Sequence, residues 1–219
     1  MGVPKHLTKS ELAMLELRER MLRGELAPGE RLRMKELVAM LDMSPTPIRE
    51  ALRRLQADGL VDFKAHHEIV VVERSPVDIE EIYELRTNLE PISVARAVGR
   101  LDESSLQRIE KLHAEFGKAV ESGKGSVVAL ANRDWHEFFA QESGSSYLVE
   151  FIDKLWAGLP WRSMWTIPGR IGDEGGQHEA VMEAVRLGDA DLAAERMLFH
   201  IEDGRRRLMG ESSDSEGSE

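Results

Sequence analysis

The feature that most constrains the fold of this chain is a short break between two helix-forming segments near residue 42. The first segment covers about residues 34–41, and Asp42-Met43 makes a tight connection to the next one. Ser44 is a good helix N-cap and Pro45 suits the first helical position, so a second helix is predicted to begin there. Its apolar residues recur on one face, namely Ile48, Ala51, Leu52 and Leu55. The pattern predicts two helices joined by a tight turn.

Elements on both sides complete this N-terminal pattern. Thr8-Lys-Ser-Glu11 has the spacing of a capping box, which predicts a first helix that ends near Gly24. After Gly59, residues 60–63 and 69–72 form short β-branched or aromatic runs, which favour a hairpin. Three helices followed by a hairpin make a winged helix-turn-helix, whose third helix fits the major groove of DNA. We expect this domain to span residues 1–75.

The solvent face of the third helix carries Thr46, Arg49 and Arg53, with Arg54 close to it. The alternative interpretation is that this cationic face is exposed to solvent and has no role in DNA binding. Residues 1–75 hold 13 basic and 12 acidic side chains, and the formal net charge of −11 excludes a uniformly basic nucleic-acid coat. Because phosphate neutralisation dominates attraction to DNA, one near-neutral domain should bind weakly. Two copies on a palindrome would multiply the affinity, so we expect a homodimer held together by the rest of the chain.

Residues 12–72 resemble the DNA-binding domain of the GntR family of bacterial transcription regulators. The matching segments are Leu26–Leu32, Lys35–Ala39, Ser44–Leu55 and Asp58–Val61. The resemblance implies contacts to operator DNA from these residues: Arg31, Arg33, Lys35, Ser44, Thr46, Arg49, Arg53 and, in the wing, His66 and His67. Two positions depart from the family pattern. Pro45 replaces the usual arginine, and Glu68 near the wing tip would repel phosphate unless it points away.

From Asp78 onwards the sequence shows helical patterns and no convincing strand. The predicted helices are 78–89, 91–100, 102–121, 126–143, 145–158, 174–187 and 190–208, and Pro91 should break or kink the first long pattern. A mainly α protein follows, with an all-α bundle of six or seven helices over residues 76–210. Its expected core includes Leu85, Leu89, Leu106, Ile109, Leu112, Phe138, Leu148, Phe151 and Leu155, with Trp156, Trp161 and Trp165 as core or pocket wall. Residues 211–219 hold no apolar side chain and are predicted to be a disordered acidic tail.

Three histidines fall on three of these predicted helices: His136, His178 and His200. Three imidazoles can converge inside a helical bundle, and neutral imidazole ligates zinc, nickel or copper. Asn132 precedes His136 by four residues and projects from the same helical face. From spacing alone, histidines that are partly exposed or satisfied within the core are the open alternative.

Residues 78–205 resemble the FCD domain, the effector module of the FadR subfamily of GntR regulators. Glu81–Pro91 resembles its opening helix and Gln177–Asp189 its penultimate helix. The resemblance implies a divalent transition metal, zinc or nickel, held by His136, His178 and His200, with Asn132 at the position of the family's aspartate. It also implies a small organic-acid effector on the open coordination positions, with Arg86 as a further contact. A surface ion pair with Glu90 is the alternative role for Arg86.

Composition narrows the class of function further. The chain has no cysteine, which excludes a disulfide scaffold, a thiolate metal site and a cysteine nucleophile. It lacks a membrane-length apolar run and a signal core, so we expect a cytoplasmic protein with no membrane partner. The sequence therefore predicts a metabolite-responsive DNA-binding regulator and not an enzyme. A metal-dependent hydrolase or lyase, and an effector-independent DNA-binding dimer, remain as alternatives.

Overall fold

A computed structural model describes residues 7–65, 68–159 and 170–210. The chain divides into two compact units, Met1–Arg74 and Ser75–Glu219. Several sequence predictions lie outside the described residues, namely those for His66, His67, Trp161, Trp165 and the tail 211–219.

The N-terminal unit combines three helices with a small antiparallel sheet. Its elements are α1 (Lys9–Leu22), β1 (Arg31–Leu32), α2 (Met34–Leu41), α3 (Pro45–Ala57), β2 (Val61–Phe63) and β3 (Ile69–Val71). The strand order is β1-β3-β2, and Arg31 of β1 pairs with Val70 of β3. The sequence predicted the β2–β3 hairpin but missed β1, because a strand of two residues has no periodicity to detect. The third strand turns the hairpin into a sheet that reaches the start of α2.

Local chemistry explains the helix boundaries. The Thr8 hydroxyl accepts a hydrogen bond from the Glu11 amide, which completes the capping box at the start of α1. Asp42 has a φ of 50° and ends α2 in the left-handed region. Ser44 occupies the N-cap position of α3 and Pro45 its first turn, although the Ser44 side chain makes no capping hydrogen bond. The tight connection between α2 and α3 therefore rests on backbone geometry.

Burial on α3 follows the predicted apolar face, whereas burial on α1 does not simply follow the positions of its leucines. The four apolar residues predicted for the α3 core are all buried: Ile48, Ala51, Leu52 and Leu55. On α1, Leu12 and Leu15 are exposed, whereas Ala13 and Leu17 are fully buried. The α1 face is set by contact with α3, which leucine spacing alone does not reveal.

The described part of the C-terminal unit is helical. Its helices are α4 (Pro76–Val98), α5 (Glu103–Ser122), α6 (Gly125–Glu142), α7 (Ser146–Ala157), α8 (Arg170–Leu187) and α9 (Ala190–Met209). The predicted division into separate helices 78–89 and 91–100 is wrong, because α4 runs through Pro91. Glu90, Ser93 and Val94 are buried around Pro91, so packing offsets the backbone hydrogen bond that proline removes. The mainly α fold class is confirmed.

The core of this unit lies between α4 and helices α6, α7 and α9. Ile109, Phe138 and Leu148 are buried as predicted, but Leu85 and Phe151 are exposed, so their assignment to the core is wrong. On α4 the buried face instead carries a polar pair, Arg86 and Glu90, and hydrophobic periodicity cannot detect a core built around charges. Within the described residues, no helix combines the length and apolar character needed to cross a membrane.

Candidate functional site

The first candidate site is an arginine-lined groove of the N-terminal unit. The groove has a volume of about 580 Å³, and its polar lining includes Arg31, Arg33, Arg49 and Glu68. The structure thus brings together the start of α2, the outer face of α3 and the wing. Four other predicted DNA contacts are exposed but do not line this groove: Lys35, Ser44, Thr46 and Arg53.

Acidic side chains already occupy part of this basic surface. Glu68 forms an ion pair on this surface, between its Oε1 and Nε of Arg31. Nη1 of Arg33 lies 3.0 Å from Oε1 of Glu36. Among the described residues, Arg49 and Arg53 of α3 have no ion-pair partner, which leaves them able to meet phosphate or base edges without breaking a bond. Arg54, by contrast, lies 3.7 Å from Glu11.

The second candidate site is a buried histidine cluster in the C-terminal unit. His136 of α6, His178 of α8 and His200 of α9 are buried, and one nitrogen of each lies within 4.8 Å of the others. Asn132, one turn before His136, is also buried. The helices therefore place all four residues predicted as metal ligands inside one bundle.

Hydrogen bonds fix the tautomers of two of the three imidazoles. Nδ1 of His136 lies 2.6 Å from Oε2 of Glu90. Nδ1 of His200 lies 3.0 Å from Oε1 of Gln177, whose amide nitrogen donates to a carboxylate oxygen of Asp203. A carboxylate only accepts hydrogen bonds when ionised, so Nδ1 of His136 donates to Glu90. The Gln177 amide nitrogen donates to Asp203, which leaves the Gln177 amide oxygen facing His200, so Nδ1 of His200 donates as well. Both therefore carry a lone pair on Nε2.

These two Nε2 atoms lie 3.1 Å apart. Facing lone pairs at this distance repel each other unless a cation lies between them. A second proton on His136 is opposed, because burial lowers the pKa of this imidazole. A metal ion with bonds of about 2.0–2.1 Å to each nitrogen would hold two ligand nitrogens roughly 3.3 Å apart in a tetrahedral site. The spacing thus fits two ligands of a single ion.

His178 supplies an independent indication of a ligand. Its ring is stacked between Phe116 and Trp135, with both ring centroids 4.0 Å away. Burial, and then the neighbouring imidazoles of His200 and His136, lower its pKa well below the ordinary value, so the ring is neutral. In the described structure neither ring nitrogen has a hydrogen-bond partner, nor does the buried Oδ1 of Asn132. An unpaired buried polar atom costs about 1–3 kcal/mol, and these atoms together form a donor set that could hold a cation.

Arg86 lies beside the cluster in a charged network. Its Nε lies 2.6 Å from Oε1 of Glu90, and its guanidinium stacks 4.4 Å from the ring of Trp156, whose indole also donates to Glu90. Burial alone would raise the pKa of Glu90, but the charges of Arg86 and His136 outweigh it and lower the pKa to about 2. The Arg86–Glu90 ion pair is therefore present but buried, whereas the sequence alternative placed it at the surface.

The sequence did not predict the roles that three residues have in this site: Glu90, Gln177 and Asp203. For Glu90, the sequence shows only the i, i+4 spacing from Arg86, which indicates an ion pair at the surface. Gln177 precedes His178 in sequence yet orients His200, which is 23 positions away. Such orienting contacts depend on how helices pack, and no local spacing encodes them.

Comparisons with known proteins agree with both halves of this description. Residues 9–71 match the model for bacterial regulatory proteins of the gntR family, and residues 81–203 match the FCD domain model. The HTH-type transcriptional regulator McbR of Escherichia coli is 31% identical over 72% of this chain and 72% of its own. A Bacillus subtilis protein named an uncharacterized HTH-type transcriptional regulator, YdhC, is 26% identical over 85% of this chain and 84% of its own. The solved structure of E. coli McbR/YncC has the same fold, with a TM-score of 0.86 at 24% identity, covering 94% of this chain and 99% of that one.

Proposed function

We propose a regulatory role for this chain, which belongs to the GntR family of bacterial regulatory proteins and carries an FCD domain. In this proposal the chain acts as a homodimer, and a small carboxylic acid bound at a metal centre sets its affinity for a palindromic operator. Its family makes it a DNA-binding transcriptional regulator and not an enzyme. The hydrolase alternative would need a general base near the metal-bound water. Glu179, next to His178, is bound instead by His113 at 2.7 Å and by Arg186.

The observation that carries the metal proposal is the 3.1 Å approach of two Nε2 atoms whose tautomers leave both unprotonated. The proposed donors are the imidazoles of His136, His178 and His200 and the amide oxygen of Asn132. Such a set favours zinc or nickel over magnesium or calcium, which prefer sites built from oxygen atoms. Because all four donors are neutral, the ion keeps its full charge, and a carboxylate is the natural occupant of its open positions.

Arg86 is the candidate for a second contact to the effector. Its guanidinium is buried on the same face of α4 as Glu90, which itself touches His136. A planar guanidinium suits a carboxylate because it can offer two parallel N–H groups. Glu90 accepts a hydrogen bond from Nε of Arg86, which fixes the orientation of the guanidinium.

The regulatory step requires that the effector bind two arrangements of the dimer with different affinities. Only this difference in affinity can change the affinity for DNA, and the coupling must be reciprocal. In the DNA-binding unit, we assign the base and phosphate contacts to the residues predicted for them. Among these, Arg49 and Arg53 on α3 have no competing ion pair in the described structure. Arg31 is restrained by Glu68.

Metal content and DNA binding of wild type and His178→Ala test the proposal together. We expect about one zinc or nickel ion per chain in the wild type and loss of at least nine-tenths of it in the variant, because a ligand is removed. DNA binding without effector should be unchanged, whereas any response to a panel of small carboxylic acids should disappear. A metal-free wild type whose response to carboxylic acids matches that of His178→Ala would refute the metal centre. His178→Gln, which keeps most of the side-chain volume, controls for a collapsed core.

A further inference from the structure

We infer that two copies of this chain pair through the exposed face of α4, with the two α4 helices antiparallel across a two-fold axis. This face, the α4 stripe, consists of Glu81, Leu85, Asn88, Ile92 and Arg96. The inference rests on the proposed homodimer and names the surface that forms it.

The α4 stripe is a continuous exposed row. Its members follow one another at spacings of three or four residues, which places them on one side of a helix. All five are exposed, and Leu85 and Ile92 are each 50% exposed. The buried face of α4, which includes Arg86 and Glu90, lies on the opposite side. Two large aliphatic side chains therefore lie outside the core of the single chain, although the sequence pattern assigned Leu85 to a core.

The order of residues along the stripe is complementary to itself when reversed. Glu81 lies as far before the midpoint of the stripe as Arg96 lies after it, and Leu85 and Ile92 are placed in the same way. In an antiparallel pair, Glu81 would face Arg96 of the partner subunit, and Leu85 would face the partner's Ile92. A two-fold axis makes each of these contacts twice. The apolar pairs would then be flanked by a salt bridge at each end.

Within the part of the chain that the structure describes, neither charge of the stripe is paired inside its own chain. Glu81 and Arg96 are 15 residues apart, or roughly 22 Å along a helix, which is too far for a direct contact. Among the described residues neither has an ion-pair partner. Most other ion pairs of this unit join residues of one helix or of adjacent helices, such as Arg108 with Glu142 at 2.9 Å. The opposite charges at the two ends of the stripe are thus available to a second copy.

The local charge of the α4 stripe is compatible with a second copy of the chain. Residues 76–219 carry 16 basic and 28 acidic side chains, so two C-terminal units repel each other at long range. A surface that joins them must be locally balanced, and the α4 stripe is balanced with one acid and one base. The groove beside it, lined by Glu80, Glu84, Thr87, Glu202 and Arg205, is acidic and would repel its own copy.

A stable interface buries about 800 Å² on each partner, which is more than one helix face supplies. The neighbouring helix α9 can extend the surface. Glu202 of α9 lines the groove beside α4, and Phe199, one turn earlier on the same side of α9, is 52% exposed. We therefore include Phe199 at the edge of the interface.

Charge reversal of the full-length chain tests the antiparallel arrangement, with dimer dissociation constants measured by sedimentation velocity. Glu81→Arg and Arg96→Glu, each alone, should weaken self-association about tenfold, because two exposed pairs per dimer change from attraction to repulsion. The double variant Glu81→Arg/Arg96→Glu should return to within about twofold of wild type, since both pairs are restored with reversed sign. An equimolar mixture of the two single variants should form a heterodimer in preference to either homodimer.

The apolar part of the stripe has a matched control. Leu85→Lys should weaken the dimer by more than about tenfold, because two leucines leave the interface. Leu187→Lys changes the same residue type at a site that is 75% exposed on α8 and should leave the dimer unchanged. Far-ultraviolet circular dichroism and metal content, compared across the variants, separate lost pairing from lost folding.

The outcomes are distinguishable. If the wild type is a monomer at micromolar concentration, the proposed homodimer itself fails. If the wild type is a dimer and the single charge reversals dimerise equally well, the dimer stands but uses another surface, and the α4 stripe is refuted. If the single variants dissociate and neither the double variant nor the mixture recovers, the antiparallel pairing is wrong.

Discussion

Glu68 in the wing provides a test of the DNA-binding surface that requires no knowledge of the operator. Its carboxylate pairs with Nε of Arg31, and both side chains are partly exposed. Glu68→Gln keeps the shape of the side chain but removes its charge. We expect the substitution to release Arg31 to bind phosphate and to strengthen binding to duplex DNA of any sequence.

The size of the effect follows from the electrostatics of DNA. Each phosphate contact steepens the dependence of log K on log salt by about 0.9, so one new arginine per subunit steepens the slope of a dimer by about 1.8. Raising salt from about 50 mM to about 200 mM should then cost the variant about twelvefold more affinity than it costs the wild type. Folding stability should hardly change, because an exposed ion pair is worth about 0–1 kcal/mol.

Fluorescence anisotropy with a labelled duplex of arbitrary sequence measures this slope. The matched control is Glu16→Gln, which breaks a partly exposed ion pair of the same unit, at 2.7 Å to Arg20. Arg20 lies outside the predicted DNA contacts. The control should keep the wild-type slope. Equal slopes for wild type and Glu68→Gln would refute the reasoning, because Arg31 would then make no new phosphate contact when it is released.

Three further predictions concern the recognition helix and the metal centre. Arg49→Ala should weaken operator binding by about 1–3 kcal/mol if it contacts a base edge, whereas Arg20→Ala should not, as measured by anisotropy with a duplex from the upstream region of the chain's own gene. Asn132→Asp should tighten metal binding at least about tenfold by adding a carboxylate ligand, yet weaken carboxylic-acid binding, as measured by titration calorimetry. Burial lowers the pKa values of His136 and His178 below 6.5. Because the unfolded chain therefore binds more protons than the folded chain below that pH, the metal-free protein should lose thermal stability as the pH falls from about 7 to 5. Scanning calorimetry should show a flatter pH profile for His178→Phe.

The fold was predictable where helical periodicity and end signals agree. On α3, the N-cap position, the first-turn proline and the apolar face all indicated the same helix, and the structure matches. Prediction failed where tertiary packing overrides local preference. Pro91 lies within α4 because its neighbours are buried on the core side, and packing of that kind is invisible in a local window.

The candidate site was predictable only in part. The spacing of His136, His178 and His200 did not itself predict that they meet, and their grouping came from a family resemblance. The chemistry that makes them suited to a cation lies in contacts between helices, such as Glu90 of α4 with His136 of α6. The assignment of Leu85 to the core of the single chain is wrong. Its periodicity indicates a buried position, and in the proposed dimer the partner subunit would bury it.

In the proposed function, the histidine centre of the C-terminal unit controls the affinity of the N-terminal unit for DNA. The most direct measurement of this control is the affinity of the full chain for the duplex from upstream of its own gene, with nickel or zinc bound and after chelation, across a panel of small carboxylic acids. We predict two chains per duplex and an acid that changes the affinity of the metal-loaded wild type but not of His178→Ala. A dissociation constant that no acid alters, or that shifts equally in His178→Ala, would contradict the claim.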